Sequence, residues 1–246
     1  MKKLIALLLI ASLILCGCGA STPAATEATT APTQAPATEA TEGPTETTEA
    51  PTEPPVVYRN PLNGEVLDEP YTGRIFAVTI SNIRDALPHY GTMEADILME
   101  MWVNGSIIRD LALYTDVSKA EAIGSVRSDR LMFNQIVKMY DAVLADAAGS
   151  DQVLNDARNT GVNRMTIDTG DATDYSYRAK DRVFTFKPES KYEHTLFAKG
   201  AGLLDFAQKK GFSVTQPADK EYNLHFTEDG TPEGETANSV NVTFTY

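Results

Sequence analysis

Cysteine is almost missing from this chain of 246 residues. Its two cysteines, Cys16 and Cys18, both lie before residue 20. No disulfide or thiolate metal site is therefore available to the remainder. Histidine is as sparse: His89, His194 and His225 stand far apart, and none pairs at an i, i+4 spacing. No metal and no cofactor is expected. Positive charge is in deficit as well. Lys and Arg number 21 against 34 Asp and Glu, giving a formal charge of −13, and with Lys2, Lys3 and the six glutamates of Ser21–Pro55 set aside, −9 remains from Val56 onward. An acidic surface argues against nucleic acid or an anionic lipid face as partner. No Gly-x-Ser-x-Gly elbow and no Gly-x-x-x-x-Gly-Lys phosphate loop occurs, so two common catalytic frameworks are excluded.

What is present begins with an address. Met1-Lys2-Lys3 is a positive start, and Leu4–Leu15 is a run of twelve apolar or small residues. That length suits a signal segment and is too short to span a bilayer. Leu15-Cys16-Gly17-Cys18 resembles a bacterial lipobox. It places residues 1–17 in a removed signal peptide and makes Cys18 the first mature residue, carrying diacylglycerol through its sulfur. Two acyl chains anchor a protein stably where one does not. The partner is then a membrane, and the location its extracytoplasmic face. Ordinary secretory cleavage nearby is the alternative. Leader, spacing and the following stretch all agree on the lipobox.

Residues 18–57 are a stalk built almost wholly of Thr, Ala, Pro and Glu. It has too little apolar surface for a core and reads as disordered. At roughly 3 Å per residue it extends on the order of 100 Å.

The folding part, residues 58–212, reads as an α/β domain with a mixed sheet. Arg74–Ser81 is a buried strand. Two strand-like runs, Ala95–Val103 and Ser106–Thr115, flank Asn104-Gly105. This predicts a β-hairpin over 95–115 with a two-residue turn. That register sets Trp102 opposite Ile107, Met101 opposite Ile108 and Glu100 opposite Arg109. Asp129–Tyr140 reads as a helix with Ser128 as N-cap. A βαβ unit follows over 142–168: a strand, a helix capped by Ser150 and stopped by Gly161, then Asn163–Asp168. Ligands of such sheets lie outside the carboxyl ends of the parallel strands. Asp146, Gly149, Ser150 and Asp168 fall there. Thr195–Lys210 reads as a further helix, and 213–246 as a linker leading to the opening strand of a truncated second domain.

The stretch most suited to chemistry is Ile123-Gly124-Ser125-Val126-Arg127-Ser128-Asp129-Arg130. It sets two arginines and two hydroxyls at a helix start, where N–H groups are unpaired and the dipole is positive. Arginine is suited to two-point contact with phosphate or carboxylate. Arg127, Arg130 and Ser128, with Arg109, Glu100 and Asp96 from the hairpin, form the candidate site for an anionic cell-envelope ligand or a protein partner. The arginines either hold a ligand or brace the carboxylates. No catalytic residue can be assigned. An envelope hydrolase or transferase would draw acid–base chemistry from Asp96, Glu100 or His194, with Arg127 and Arg130 holding the substrate.

From Asn60 to Phe197 the chain resembles the YerB-like lipoproteins of Gram-positive bacteria, a family built around a domain of unknown function. The residues that carry this are Ala95–Glu100, Arg109, Ile123–Arg130, Ala148-Gly149-Ser150 and His194-Thr-Leu-Phe197. The resemblance implies surface attachment and a second, smaller C-terminal domain; it implies no agreed activity. Asp146, Ala148 and Ser125 depart from the family pattern of His, Gly and Pro. If the histidine is catalytic in relatives, Asp146 puts that activity in doubt here.

Overall fold

The structure, a computed structural model, describes residues 56–181, 191–217, 220–222, 224–227, 234–241 and 243. The signal segment, Cys18 and most of the stalk lie outside the described residues. The short strands β1 (Tyr58–Arg59) and β2 (Val66–Leu67) pair with each other. β3 (Phe76–Ser81), β4 (Ile97–Asn104) and β5 (Ile107–Tyr114) follow, then β6 (Ile123–Gly124) and α1 (Leu131–Met139). Next come β7 (Val143–Asp146), α2 (Asp151–Thr160), β8 (Asn163–Thr166) and β9 (Ser176–Arg178). β10 (Leu196–Ala198) and α3 (Gly200–Lys209) complete the set.

The main sheet has the order β4-β5-β3-β7-β8. β3, β7 and β8 are parallel, and β5 runs antiparallel to both β3 and β4. The sheet is mixed, and the βαβ unit is present. α2 has the caps its sequence implies: Ser150 accepts from the Val153 N–H, and Gly161 closes the helix at φ 71°.

The strands are apolar on both sides because both sides are covered. Ile75, Ala77, Leu111, Leu113 and Leu144 pack with Phe133, Val137 and Tyr140 on the α1 side. Phe76, Val78, Ile80, Ala112 and Val143 pack with Leu203 and Phe206 of α3 on the other. A second antiparallel sheet, β6-β10-β9, contributes Ile123, Leu196 and Ala198 to that same cluster.

Four expectations need correcting. The hairpin turns on Gly105-Ser106, and its register shifts between Trp102 and Asn104. Glu100 therefore stands opposite Asp110, and Arg109 opposite Met101. A one-residue shift exchanges which partner side chains share a face. Arg109, Leu111 and Leu113 thus lie with Met99 and Met101. Ser128 does not cap α1; the N-cap is Arg130, and it makes no side-chain capping bond. The third helix begins at Gly200, because Leu196–Ala198 is committed to β10. Near the chain end, Ser239, Val240, Asn241 and Thr243 are not in a strand, and the rest of 239–246 lies outside the described residues.

Candidate functional site

The parallel strands β3 and β7 pair from Phe76 with Val143 through Val78 with Ala145, leaving the carboxyl half of β3 and Asp146 of β7 unpaired with each other. β3 then leads toward β4 and β5 while β7 leads toward β8. The gap between their carboxyl ends is the place where open α/β sheets bind ligands. Here the chain's own Ser125–Asp129 lies in it. Ser81 N–H donates to Ser125 O (2.9 Å) and Arg127 N–H to Thr79 O (3.0 Å). Ala147 N–H donates to Arg127 O (3.0 Å) and Asp129 N–H to Ala148 O (2.7 Å). Thr79 Oγ1 also donates to Arg127 O, while Val126 N–H reaches across to Leu196 O (2.8 Å). The segment is thus fixed by both sheets. Val126 and Asp129 are buried, with Arg127, Ser128 and Arg130 partly exposed.

Two guanidinium groups converge on the Ser128 carbonyl. Arg109, only 4% exposed, donates to it from β5. Arg130 Nη1 donates to Asp129 O (2.7 Å) and, at 3.4 Å, to Ser128 O. Burial first, and then the charges of Arg130 and Arg127, lower the pKa of Arg109 to about 10, against an opposing pull from Asp129. Burial also lowers the pKa of Arg130. Immediately beyond, α1 begins without a side-chain cap. Among the described residues the Leu131 and Met132 N–H groups have no acceptor. A clustered positive charge beside an open helix start is poorly neutralised by the protein itself.

The nearest carboxylates are occupied. Asp129 and Asp146 are both completely buried. Arg164 grips Asp146 at two points, Nη2 to Oδ1 at 2.6 Å and Nε to Oδ2 at 2.5 Å, and lies 3.8 Å from Asp129 Oδ2. Asp129 Oδ1 accepts from the Arg130 N–H (2.6 Å). Burial raises Asp129 to about 6, and it raises Asp146 well above the usual carboxylate range, Arg164 opposing in both. Sequence reasoning missed this Asp129–Arg164–Asp146 group. The signal was a charged residue, Arg164, inside a predicted strand.

The other candidates sit elsewhere. Glu100 accepts from Asn82 Nδ2 (2.6 Å), which also donates to Asp110 (2.9 Å), on the opposite side of the sheet from Arg109. Asp96 accepts from Asn60 and Asn63 side chains and from the Thr115 N–H and hydroxyl. Thr115 follows the end of β5, at the amino end of β3. Four residues of strand put Asp96 and Glu100 about 13 Å apart, so they cannot work as a catalytic pair. Arg127 leans the other way, donating to Glu193 O (2.6 Å) with Glu193 Oε2 at 3.6 Å. It lines a pocket of about 210 Å³ with Ser128, Ala148, Asp168, Arg178 and Tyr192. His194 is buried, and its carbonyl accepts from Ser125 Oγ (2.5 Å). Burial lowers its pKa, the charge of Glu193 opposing. Among the described residues no group of three or more His, Cys, Asp or Glu side chains could hold a metal. No helix among them is long and apolar enough to cross a membrane.

This domain has known counterparts. The family described as the N-terminal domain of a protein of unknown function, DUF3048, matches residues 62–213. The chain belongs to this family. The DUF3048 match takes in β3 through α3, and with them every residue of the arginine cluster. A curated relative, "Putative lipoprotein YerB" of Bacillus subtilis (strain 168), is 27% identical over 182 residues, covering 72% of this chain and 50% of its own. The chain thus spans about half the length of that relative. The crystal structure of YerB from Bacillus subtilis superposes with a TM-score of 0.60 at 24% identity, covering 69% of this chain and 55% of that one. This shows a shared fold. The resemblance read from the motifs is borne out at the level of the DUF3048 family.

Proposed function

We propose that the domain is the ligand-binding part of a membrane-anchored lipoprotein, displayed on the extracytoplasmic face through Cys18. Its ligand is an envelope component bearing phosphate or carboxylate. Arg109 and Arg130 hold the anion beside Ser128, the Leu131 and Met132 N–H groups complete the cradle, and Arg127, turned to Glu193, adds positive charge from the neighbouring pocket. The observation that carries this reading is that Arg109 and Arg130 donate to main-chain carbonyls beside an uncapped helix start. Of the carboxylates near them, Asp146 is gripped by Arg164, and Asp129 is buried with Oδ1 on the Arg130 N–H and Oδ2 3.8 Å from Arg164. The leader and the lipoprotein relative support the address.

Thermal unfolding tests it. Inorganic phosphate and glycerol phosphate oligomers raise the melting temperature of the folded protein. Saturation at a hundred times Kd adds about 2.7 kcal/mol. Arg130→Ala abolishes the rise. No rise with either ligand, or an equal rise in Arg130→Ala, rejects the site.

A further inference from the structure

Helix α1 has two flanks, and only one of them is closed. Phe133, Val137 and Tyr140 form its buried stripe against the sheet. On one side of that stripe Asn134 Nδ2 donates to Val153 O (3.1 Å) and Asp156 Oδ2 (2.9 Å), so α2 covers this flank. At 3.6 residues per turn, Met132 and Ile136 fall on the other side of the stripe. α2 joins β7 to β8 at one end of the order β4-β5-β3-β7-β8, so the second flank looks toward β5 and β4. There Ile97 stands opposite Leu113, Met99 opposite Leu111 and Met101 opposite Arg109. Residues directly opposite one another present their side chains on one face.

The two rows leave a trough between them. Ile97, Met99, Met101, Met132 and Ile136 all pack against the cluster of Leu111, Leu113, Phe133 and Val137, yet each stays partly exposed. Leu111 and Leu113 floor the trough, and from Met101 to Ile97 it runs about 13 Å. None of these lining side chains is charged. β4 rises toward the carboxyl end of β3 while α1 descends from it, so Met132 lies at the Met101 end. That end is marked by positive charge: Arg109 stands beside Met101, and Arg130 immediately precedes Leu131 and Met132. At the far end Lys220 Nζ donates to Met139 O (3.2 Å), and Tyr222 packs against the same cluster.

We propose that this trough takes the apolar chain of a lipid-linked phosphate whose head sits at Arg109 and Arg130. The inference rests on the anion reading and names its ligand class. An uncharged apolar strip that ends at two guanidinium groups matches an amphiphile with one anionic end. Methionine suits such a chain, because its unbranched, polarizable side chain re-packs around an irregular apolar guest. The charge pattern decides among occupants. A cationic amphiphile would bring like charges together at Arg109 and Arg130. A neutral amphiphile gains nothing from them. The acidic surface of the protein opposes an anionic bilayer face, so the occupant is a single lipid molecule rather than the membrane surface. Each methylene fully buried in the trough tightens binding about fourfold.

The test is a methionine-methyl NMR titration with n-octyl phosphate and methyl phosphate, both kept below aggregation, with octyl glucoside and octyltrimethylammonium as comparisons. In the wild type octyl phosphate shifts the Met99, Met101 and Met132 methyls saturably and binds roughly tenfold tighter than methyl phosphate, or more. The glucoside and the ammonium salt do neither, and Met165, in the core on the other side of the sheet, stays fixed. Met99→Gln weakens octyl phosphate about fivefold or more, and Met99→Leu, which keeps the apolar surface, stays within about twofold of the parent. Equal affinity for octyl and methyl phosphate overturns the proposal and leaves the anion reading standing; binding of neither overturns both. These results come from the wild type alone. Octyl glucoside binding as tightly as octyl phosphate, or full octyl phosphate affinity in a folded Met99→Gln, also overturns it. So does a shift of the three methyls with protein concentration alone, which assigns the trough to a second copy of the chain.

Discussion

Arg109 donates from β5 to the main-chain carbonyl of Ser128, so a buried cation is held against the turn that leads into α1. No carboxylate lies within ion-pairing distance of Arg109 among the described residues. A buried charge of this kind is kept at a cost to stability. Arg109→Met is then expected to lie within about 1 kcal/mol of the parent stability or above it, while phosphate affinity drops at least tenfold. Urea unfolding and calorimetric titration on the same protein check the two halves. A large loss of stability with unchanged affinity would make Arg109 purely structural.

The hairpin register makes Glu100 and Arg109 independent. They lie on opposite faces of the β4–β5 pair, with Glu100 held by Asn82. A double-mutant cycle with Glu100→Gln and Arg109→Met is expected to give a coupling below about 0.5 kcal/mol. A direct cross-strand ion pair would show a favourable coupling.

Asp129 sets a pH dependence of known sign. Its folded pKa, about 6, lies above the ordinary value of 3.8 because burial disfavours the charged form. The stability it contributes is fully present below about pH 4 and is lost as pH rises through about 6. The shift corresponds to a contribution on the order of 3 kcal/mol. Asp146 is displaced in the same direction, burial again leading. Relative to Asp129→Asn, the parent is expected to lose stability between pH 4 and pH 7. Denaturant unfolding at the two pH values measures the difference, and parallel profiles would refute the assignment.

Asp96 carries four hydrogen bonds that join the loop Asn60–Asn63 to the end of β5. Asp96→Ala leaves the Thr115 N–H and the Asn63 amide without their acceptor, while the Asn60 amide keeps only Thr115 Oγ1. A cost of about 2–4 kcal/mol follows. Phosphate affinity of the folded variant should be unchanged, because Asp96 sits at the far end of the sheet from Arg130. Reduced affinity at full stability would return Asp96 to the ligand site.

The elements that were legible carry their own signals. Ser150 and Gly161 bracket α2 with cap residues, and β3 is a continuous apolar run. The hairpin was visible in Asn104-Gly105, but its register was not. β5 is apolar on both faces around Leu111–Tyr114, so the pattern accepts either partner set, and a bulge near Val103 decides. β9 and β10 are three residues each, too short to leave a period, and Leu196-Phe197 reads equally well as helix. At the candidate site the Arg127–Arg130 string was legible as a positive helix start. Its closure by Arg109, and the Asp129–Arg164–Asp146 group beneath, are long-range contacts that no local spacing encodes.

The account stands most directly on the open N–H groups at the start of α1. Amide NMR during titration with inorganic phosphate reads them individually. The Leu131 and Met132 signals are expected to shift saturably in the wild type and to stay fixed in Arg130→Ala, with the Val153 signal at the capped start of α2 unmoved in both. Unchanged Leu131 and Met132 signals in the wild type, or the same saturable shift in Arg130→Ala, would contradict the anion site.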